Sequence, residues 1–597
     1  MIEELRARPF AGAPRAGAGA PRAALIIAAL MLLVYARSLA NGFVYDDLLH
    51  IVDEPMPRSF EQLARIFAEP MSPIVPYYRP LARVLNVGQK WLHGAAPLPF
   101  HLANLALGFA CAWALRGLLM TRALGASAGA ATLAALGFAL HPIASECIYA
   151  VASGRETLLP TLFTLLACSA HLRGTPRARV AAVACFALGM LSKEQAIAIP
   201  LLLGLADALG IPPDAPRSAR SWAARYAPHA LVVVAYAALR TLAIPSGAGP
   251  ELALLRMPSG PLLSMLYDVQ TTFAPFASVI YEPSLAVWWS LPRLALAAAA
   301  AGALALLALR ADARRAFWFL AWIVLALAPT ANVFVQEPGF AERWGFAALA
   351  GWLGLCALAF TPLSAAGPLL RRASWIAPLT ALALCAVLTF SRGPTYRDND
   401  AFLAQWLHSD PAAAQPWISL GEAHERRGNY GEAVRAYRRV LARNPDTALA
   451  HASLAITLAN QGLLPRAEAH ARRAVALDPR DAESWNNLGG IRARRGDLAG
   501  AIENYERALT LRPRLASAHN NFGVALRTRG ELAAAREHFE RAIEIAPDFP
   551  EAHANLGDLL AATGDRVGAE RHLVRALALD PALEPARAAL ARLRSAR

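Results

Sequence analysis

Lysine is almost absent from this chain of 597 residues, and its scarcity shapes what the net charge of +14 means. Lys90 and Lys193 are the only lysines, so arginine supplies nearly all of the positive charge. The sequence also lacks a basic cluster interleaved with aromatic residues, the pattern expected of a nucleic-acid-binding surface. We therefore predict no nucleic-acid partner, and the arginine bias is typical of a high-GC bacterial genome.

Paired cysteine motifs are also missing. The six cysteines lie in or beside apolar segments, none with C-x-x-C spacing, and residues 392–597 contain none. This pattern predicts neither a metal site nor a disulfide framework. An obvious signal-cleavage site is absent as well, so we interpret residues 23–40 as a retained membrane helix that follows a disordered cytoplasmic tail, residues 1–22.

Long apolar runs dominate residues 23–391 and predict an all-α, polytopic membrane domain. The arginine-rich connections 173–179 and 217–225 place those loops and the N-terminus in the cytoplasm. Counting residues 260–280 as a crossing would put Arg310 outside, so we interpret that stretch as interfacial or re-entrant. About eleven spans are then predicted: roughly 23–40, 100–119, 126–142, 149–171, 179–191, 195–210, 228–245, 289–309, 316–335, 344–362 and 375–391.

An acidic pair, Asp46 and Asp47, follows the first predicted span within the stretch NGFVYDDLLH and is predicted to lie outside the cytoplasm. A lone acidic pair in a loop is most often solvated surface. Beside a membrane, however, desolvation and mutual repulsion raise the pKa of one carboxyl toward the range useful for proton transfer. The pair is therefore a candidate general base.

Further ionisable residues occur at predicted outer ends of spans. Each is compatible with an interfacial anchor, but ionisable groups at membrane depth are costly and are functional candidates by default. Cations near the acidic pair suit a bound lipid-linked phosphate. These residues are His141, Glu146, Arg155 and Glu156 in the run 138–160, Lys193 and Glu194 in LSKEQ, and Glu337, Glu342 and Arg343 in EPGFAERW.

The C-terminal part repeats with a period of 34 residues. Glycines recur at positions 428, 462, 496, 530 and 564, and prolines at 445, 479, 513, 547 and 581. This is a tetratricopeptide signature, in which we expect the glycine to allow close packing at the turn and the proline to end the second helix. Residues 392–412 form a predicted linker or a degenerate first helix. Five repeats cover 413–446, 447–480, 481–514, 515–548 and 549–582, and residues 583–597 form a predicted capping helix.

One position on the first helix of each repeat carries Ser419, Ser453, Asn487, Asn521 and Asn555. First helices line the concave face of such arrays, and a row of amides there can bond the backbone of an extended peptide. The alternative is that asparagine serves packing at this position. We predict that Asn487, Asn521 and Asn555 bind an acceptor peptide.

Short motifs precede the repeats in a defined order: N-x-F-V-Y-D-D (41–47), Y-Y-R-P-L (77–81), F-H-L-A-N (100–104), F-A-L-H-P-x-x-x-E (138–146), S-G-R-E (153–156), L-S-K-E (191–194) and A-E-R (341–343). Together with the repeats, this set closely resembles the transmembrane and tetratricopeptide-repeat O-mannosyltransferases. The resemblance covers essentially the whole chain beyond residue 22. Two departures are the short repeat array and the bacterial composition.

The resemblance implies a GT-C glycosyltransferase that moves mannose from a polyprenyl phosphate to Ser or Thr hydroxyls of proteins outside the cytosol. It implies that Asp46 or Asp47 is the catalytic base of an inverting displacement. Arg155, Lys193 and Arg343 would bind the donor phosphate. Supporting polar roles fall to Tyr78, Arg79, His141, Glu146, Glu194 and Glu342.

The donor is then a substrate and no cofactor is required, although a divalent metal is compatible with the chemistry. The expected location is a bacterial inner membrane, with the repeats on the periplasmic side holding acceptor proteins. Two alternatives stay open from the sequence. One is a non-catalytic membrane scaffold whose repeats recruit periplasmic proteins, and the other is a GT-C enzyme that modifies glycans or lipids.

Overall fold

The structure is a computed structural model that describes residues 19–44, 47–52, 54, 56–57, 60–68, 78–212, 214–244, 302, 311–327, 346–364, 368–409, 411 and 413–595. The chain divides into two compact units, Met1–Ala413 and Ala414–Arg597. No β-strand occurs among the described residues. The all-α prediction is therefore confirmed.

The described residues of unit 1 form helices, many of them joined by short connections. Proline at the first helical turn, where its missing N–H costs nothing, opens several of them. Ser127, Thr175 and Ser218 cap three of the helices through their hydroxyls. The helices are α1 Ala20–Tyr35, α2 Phe60–Arg65, α3 Pro80–His93, α4 Pro97–Leu119, α5 Ala128–Leu140, α6 Pro142–Tyr149, α7 Val151–His171, α8 Pro176–Ser192, α9 Ala198–Ala208, α10 Ala219–Ala243, α11 Ala313–Leu327, α12 Phe346–Ser364, α13 Pro368–Arg392 and α14 Asn399–Ser409.

Four stretches of the described chain are long and apolar enough to cross a membrane: Ala20–Ala40, Pro97–Leu119, Ala219–Ala243 and Trp375–Tyr396. A fifth is present if the bent pair α5 and α6 is one span. The other predicted spans in the described ranges coincide with helices that are shorter or more polar. Residues 260–280 and, except for residue 302, residues 289–309 lie outside the described residues. The count of eleven stays a prediction.

The chain bends by 58° between α5 and α6, at His141. The predicted spans 126–142 and 149–171 leave residues 143–148 between them, and the structure shows that Pro142–Tyr149 is a fully buried helix. Pro142 ends α5 because it cannot donate to the helix, and it then opens α6 at the position where proline is tolerated. The bend places a short buried helix directly before α7.

Unit 2 consists of helix pairs in each 34-residue repeat, followed by one last helix. Apolar residues of successive pairs form its cores, including Tyr437, Leu454, Tyr505 and Phe539. The helices are α15 Ala414–Arg426, α16 Tyr430–Arg443, α17 Ala448–Asn460, α18 Leu464–Leu477, α19 Ala482–Arg494, α20 Leu498–Leu511, α21 Ala516–Arg529, α22 Leu532–Ile545, α23 Pro550–Ala562, α24 Arg566–Leu579 and α25 Glu584–Ser595.

The repeating turn glycines serve backbone conformation rather than close packing, contrary to the sequence-based expectation. Their φ angles run from +74° at Gly428 to +93° at Gly564, and a Cβ at any of the five would meet no atom within 4 Å. The left-handed conformation is what selects glycine there. Close packing instead depends on a second series inside the first helices, where a Cβ would overlap the side chain of the second helix: Gly421, Gly489, Gly523 and Gly557.

Three pairs of histidines, called the histidine pairs below, join the first and second helices of repeats two, four and five. Each pair has its Nδ1 atoms 2.9–3.0 Å apart, and the first histidine also lies 2.9–3.1 Å, through Nε2, from a proline carbonyl oxygen. Because that carbonyl accepts the Nε2 proton, the first Nδ1 must accept the Nδ1 proton of the second histidine. The pairs are His451–His470, His519–His538 and His553–His572.

We expect acid to destabilise unit 2 through these pairs. Burial, with repulsion from the first histidine, lowers the pKa of His470, His538 and His572. The unfolded chain therefore binds more protons, so the free energy of unfolding falls as pH drops below about 6.5, the unfolded value. Urea unfolding of residues 414–597 at pH 7.5 and 5.5 measures this.

The third repeat offers a natural control, since it carries Trp485 and Asn504 at the paired positions, and Trp485 Nε1 donates to the Pro479 carbonyl at 3.0 Å. Replacing all three pairs by Trp and Asn should remove most of the decrease in the free energy of unfolding between pH 7.5 and pH 5.5. An unchanged pH dependence would show that the pairs do not cause it.

Candidate functional site

Asp47 is fully buried and joins the first loop to α7. Its Oδ1 accepts from the Ala152 backbone N–H at 2.6 Å, and its Oδ2 accepts from the Val44 N–H at 3.1 Å. Ala152 belongs to the first turn of α7, where N–H groups have no partner within the helix and a negative charge is favourable. Both oxygens of Asp47 therefore accept backbone protons. The adjacent Asp46 lies outside the described residues.

The junction of α6 and α7 depends on Asn104 and Gly154. The Asn104 amide nitrogen lies 3.1–3.3 Å from the carbonyl oxygens of Cys147, Ala150 and Val151 and so meets acceptors left open where α6 ends. A Cβ at Gly154 would overlap the Cys147 carbonyl. The S-G-R-E motif thus brings α7 against α6 through its glycine.

Arg155 is held in a cage of neutral oxygen acceptors. Its Nε donates to Asn104 Oδ1 at 3.0 Å, and its Nη1 donates to Asn86 Oδ1 at 2.8 Å. Its Nη2 bonds Gln89 Oε1 and the Phe100 carbonyl, and the guanidinium lies 5.1 Å from the centre of the Phe100 ring. The cage fixes a positive charge in the interior.

Among the described residues no carboxylate forms a hydrogen bond or ion pair with Arg155. The negative charge of Asp47 interacts with the guanidinium electrostatically. A direct contact of Arg155 with a donor phosphate stays a prediction. The F-H-L-A-N motif contains Phe100 and Asn104, but sequence reasoning assigned no site role to any cage residue and did not single out Asn86 or Gln89. Asn86 and Gln89 are three residues apart and Phe100 and Asn104 are four apart, so each pair shares one helix face, which was the available signal.

Arg79 connects two predicted site motifs. Its Nη1 forms an ion pair with Glu156 Oε2, and its Nε donates to Glu194 Oε2 at 3.3 Å. The side chain of Glu194 is 37% exposed, against about a tenth for Arg79 and Glu156. The structure thus brings Y-Y-R-P-L, S-G-R-E and L-S-K-E together, with Glu194 as their most accessible carboxylate.

Three other predicted site residues are buried among apolar helices. Glu146 lies in α6, Lys193 caps the end of α8, and His141 Nδ1 accepts from the Ile143 N–H at 3.2 Å. Buried ionisable residues in such surroundings are rarely incidental. Their functional roles stay predictions, and Glu337, Glu342 and Arg343 lie outside the described residues.

The contacts of Tyr78 hold neighbouring segments of the fold together. Its hydroxyl donates to the Phe67 carbonyl at 3.0 Å, and its own carbonyl accepts from the Tyr236 hydroxyl at 3.2 Å. Burial raises the pKa of Tyr78. Its ring lies 5.6 Å from that of Tyr236, so the residue ties the segment before α3 to α10.

An apolar groove of about 400 Å³ lies between α5, α12 and α13, with His141 among its lining residues. Its volume is within the range of pockets that hold small ligands. The remaining wall is almost entirely apolar, which suits a hydrocarbon chain, and includes Ala134, Gly137, Leu353, Phe360, Pro378 and Ala381.

No group of three or more His, Cys, Asp or Glu side chains in the described ranges is arranged to hold a metal ion.

The predicted asparagine ladder is linked sideways between repeats. Asn521 Nδ2 donates to Asn486 Oδ1 at 3.1 Å, and Asn555 Nδ2 donates to Asn520 Oδ1 at 2.8 Å. Asn486 and Asn520 are buried, whereas the ladder residues are half-buried. Packing between repeats therefore uses part of the ladder, and peptide binding would use the remaining donors and acceptors.

We expect these two roles to separate by mutation. Asn487→Ala removes a ladder amide that bonds no other repeat in the described chain, so it should weaken peptide binding and spare stability. Asn555→Ala should do both, since it also breaks a bond worth about 0.5–1.5 kcal/mol. Peptide titration and urea unfolding of each variant measure the two effects. In the triple variant, with Asn487, Asn521 and Asn555 all replaced by Ala, the KM should rise for peptide acceptors only. Equal losses with small hydroxyl acceptors would contradict a peptide groove.

Comparison with known proteins supports both the repeats and the resemblance. The tetratricopeptide-repeat family matches residues 400–448, 418–482, 480–548 and 526–593. A thermophilic tetratricopeptide-repeat protein of Thermus thermophilus is 26% identical, with a TM-score of 0.28, and the match covers 31% of this chain and 100% of that one.

Two curated relatives are protein O-mannosyl-transferases. TMTC1 of Mus musculus is 32% identical over 171 residues, which are 27% of this chain and 18% of the relative. Tmtc2 of Drosophila melanogaster is 32% identical over 206 residues, which are 31% of this chain and 21% of the relative. The matches thus span about a fifth of each relative. The chain carries a tetratricopeptide-repeat array and resembles transmembrane and tetratricopeptide-repeat O-mannosyltransferases.

Proposed function

We propose that this chain is a membrane glycosyltransferase that moves a sugar, mannose by resemblance, from a polyprenyl phosphate to Ser or Thr hydroxyls of proteins outside the cytoplasm. The observation that carries the proposal is a set of buried polar side chains, Asp47, Arg155, Arg79 and Glu156, with the more exposed Glu194 paired to Arg79. Such a set in an apolar helical unit costs free energy that packing alone does not require.

Asp46 is the member of the acidic pair to which we assign the base. Asp47 accepts two backbone protons, so its lone pairs hold structure together. In the proposed step Asp46 takes the proton of the acceptor hydroxyl, and that oxygen bonds the anomeric carbon. The bond from that carbon to the phosphate oxygen breaks, and polyprenyl phosphate leaves with the electron pair. Lys193, Arg343 and the fixed charge of Arg155 stabilise the leaving phosphate.

The lipid part of the donor would occupy the apolar groove. His141 lies at the break between α5 and α6, and the rest of the wall has no charged residue among its described lining. A polyprenyl chain needs such a wall because each buried methylene contributes about 0.8 kcal/mol.

Filling the groove should therefore discriminate between donors by chain length. Ala377→Phe and Ala381→Phe, at exposed positions of the groove wall, should raise the KM for a long polyprenyl donor by about tenfold and spare a short-chain analogue. Ala237→Phe, at an exposed position of α10 outside the groove lining, is the control. The same KM change for long and short donors would show that the lipid part of the donor does not bind in the groove.

The rival function, a membrane scaffold, is favoured by one observation, the use of both Asp47 oxygens to hold backbone N–H groups. The two functions differ in their products. Mass spectrometry of extracytoplasmic proteins from cells with and without this chain should find hexose on Ser or Thr only when the chain is present. Identical O-hexose in both samples would favour the scaffold.

A further inference from the structure

A second cavity, of about 790 Å³, lies between the end of α7, α8, the start of α10 and the connection before α10. We call it the Asp214 cavity. His171, on its wall, is sixteen residues along α7 from Arg155, which corresponds to about 24 Å at the rise of an α-helix. The cavity is therefore separate from the candidate active site.

Its polar wall is held by a network of charged side chains. Asp214 Oδ2 accepts from Arg179 Nη2 at 2.6 Å and from Arg225 Nη2 at 2.9 Å. Arg225 Nη1 donates to Asp207 Oδ1 at 2.7 Å, and His171 Nε2 lies 3.1 Å from that same oxygen. This network fixes the wall in place.

Three groups on the wall are left for a ligand. His229 is 4% exposed, and its ring contacts the Arg225 backbone carbonyl, which leaves one of its two ring nitrogens without a partner among the described residues. Asp214 Oδ1 is likewise buried and unbonded within the described chain. Leaving a buried polar group unsatisfied is unfavourable, so such a group is suited to bind a ligand. Arg217 lines the mouth and forms no ion pair with any described residue. The cavity thus offers an imidazole, a carboxylate oxygen and a cation.

The opposite wall is apolar and open toward the sides of the helices. Val180, Val183, Ala187 and Pro228 line it, and Val180 is 71% exposed. α10 is long and apolar enough to cross a membrane. A hydrocarbon chain can therefore continue from the cavity along α8 and α10.

We propose that the Asp214 cavity binds the head group of a membrane phospholipid, with its phosphate at Arg217 and its hydroxyl or ammonium donor at Asp214 Oδ1 and His229. Three arginines (Arg179, Arg217, Arg225) face two aspartates there, which leaves one positive charge for the phosphate. Basic pockets between membrane helices bind anionic head groups in this way.

Native mass spectrometry of the delipidated full-length chain tests this proposal without any sugar-transfer assay. Phosphatidylglycerol and phosphatidylethanolamine should each bind tightly, with one molecule per protein. Diacylglycerol, which lacks the phosphate, and glycerol 3-phosphate, which lacks the chains, should bind at least about tenfold more weakly.

Arg217→Gln and His229→Phe should each weaken phospholipid binding by about tenfold. Phe keeps the ring contacts of His229 with Phe186 and Tyr226, and Arg217 is exposed, so both substitutions leave the packing of the helices intact. Arg220→Gln, an exposed neighbour outside the cavity lining, is the matched control and should bind as wild type does.

Phospholipid binding that is equal in Arg217→Gln, Arg220→Gln and wild type would overturn the proposal. Diacylglycerol binding as tightly as phospholipid would also overturn it, since the phosphate would then not be recognised. Tight binding of glycerol 3-phosphate would overturn the lipid assignment and identify a soluble phosphate ester as the ligand.

Discussion

Asp46→Asn protein is expected to transfer sugar about 10²–10⁴ times more slowly than wild type while melting at the wild-type temperature. Asparagine keeps the shape of the side chain but cannot take the proton of an acceptor hydroxyl at neutral pH. The transfer rate from lipid-linked mannose to a Ser/Thr peptide, with a thermal melt of the same sample, measures both quantities.

The same substitution one residue along is the matched control. Asp47→Asn should lower the melting temperature, because asparagine can accept from only one of the Val44 and Ala152 N–H groups and turns its own N–H₂ toward the other. The cost is about 1–3 kcal/mol. Its transfer rate should follow the folded fraction. A stable Asp47→Asn protein that loses transfer, beside an active Asp46→Asn protein, would reverse the assignment.

Gly154→Ala is expected to destabilise unit 1 severely. The new Cβ would overlap the Cys147 carbonyl oxygen, which is backbone and cannot rotate away as a side chain does. Overpacking costs typically about 1–3 kcal/mol, and a backbone obstacle places this substitution at the upper end. The shift would also move Arg155, the next residue, out of its cage of Asn86, Gln89 and Asn104.

Thermal unfolding of the detergent-solubilised chain, followed by size-exclusion chromatography, measures the loss. Gly88→Ala is the control, since Gly88 lies inside α3 and a Cβ added there would have no atom within 4 Å. Alanine there should be neutral or stabilising by about 0.5–1 kcal/mol. Equal melting temperatures for the two variants would show that the α6–α7 contact tolerates a side chain.

Local patterns in the sequence predicted the helices and the repeats, because those elements depend on short-range spacing. Turn glycines recur every 34 residues, and each has the left-handed backbone that only glycine adopts readily. The packing glycines, such as Gly489 beneath Tyr505, were not predicted. Recognising them requires knowing which second-helix side chain lies opposite.

The candidate site was predictable only in part, because its contacts join residues that are far apart in the sequence. The motifs that carry Arg79, Glu156 and Glu194 were identified, but their ion pairs join residues 77 and 115 positions apart. The cage of Arg155 draws on α3 and α4, again far along the chain. The capping role of Asp47 also depends on a contact 105 residues away, so a sequence pattern treats it as equivalent to Asp46.

The most direct test of glycosyl transfer is to supply the proposed donor to the purified full-length chain in liposomes. Polyprenyl phosphate carrying labelled mannose, with a Ser/Thr peptide, should yield label on the peptide hydroxyls, releasable by β-elimination. A nucleotide-linked mannose should yield none. Failure to transfer from every polyprenyl-linked sugar, by protein whose repeats still bind the peptide, would contradict the enzyme and leave the scaffold.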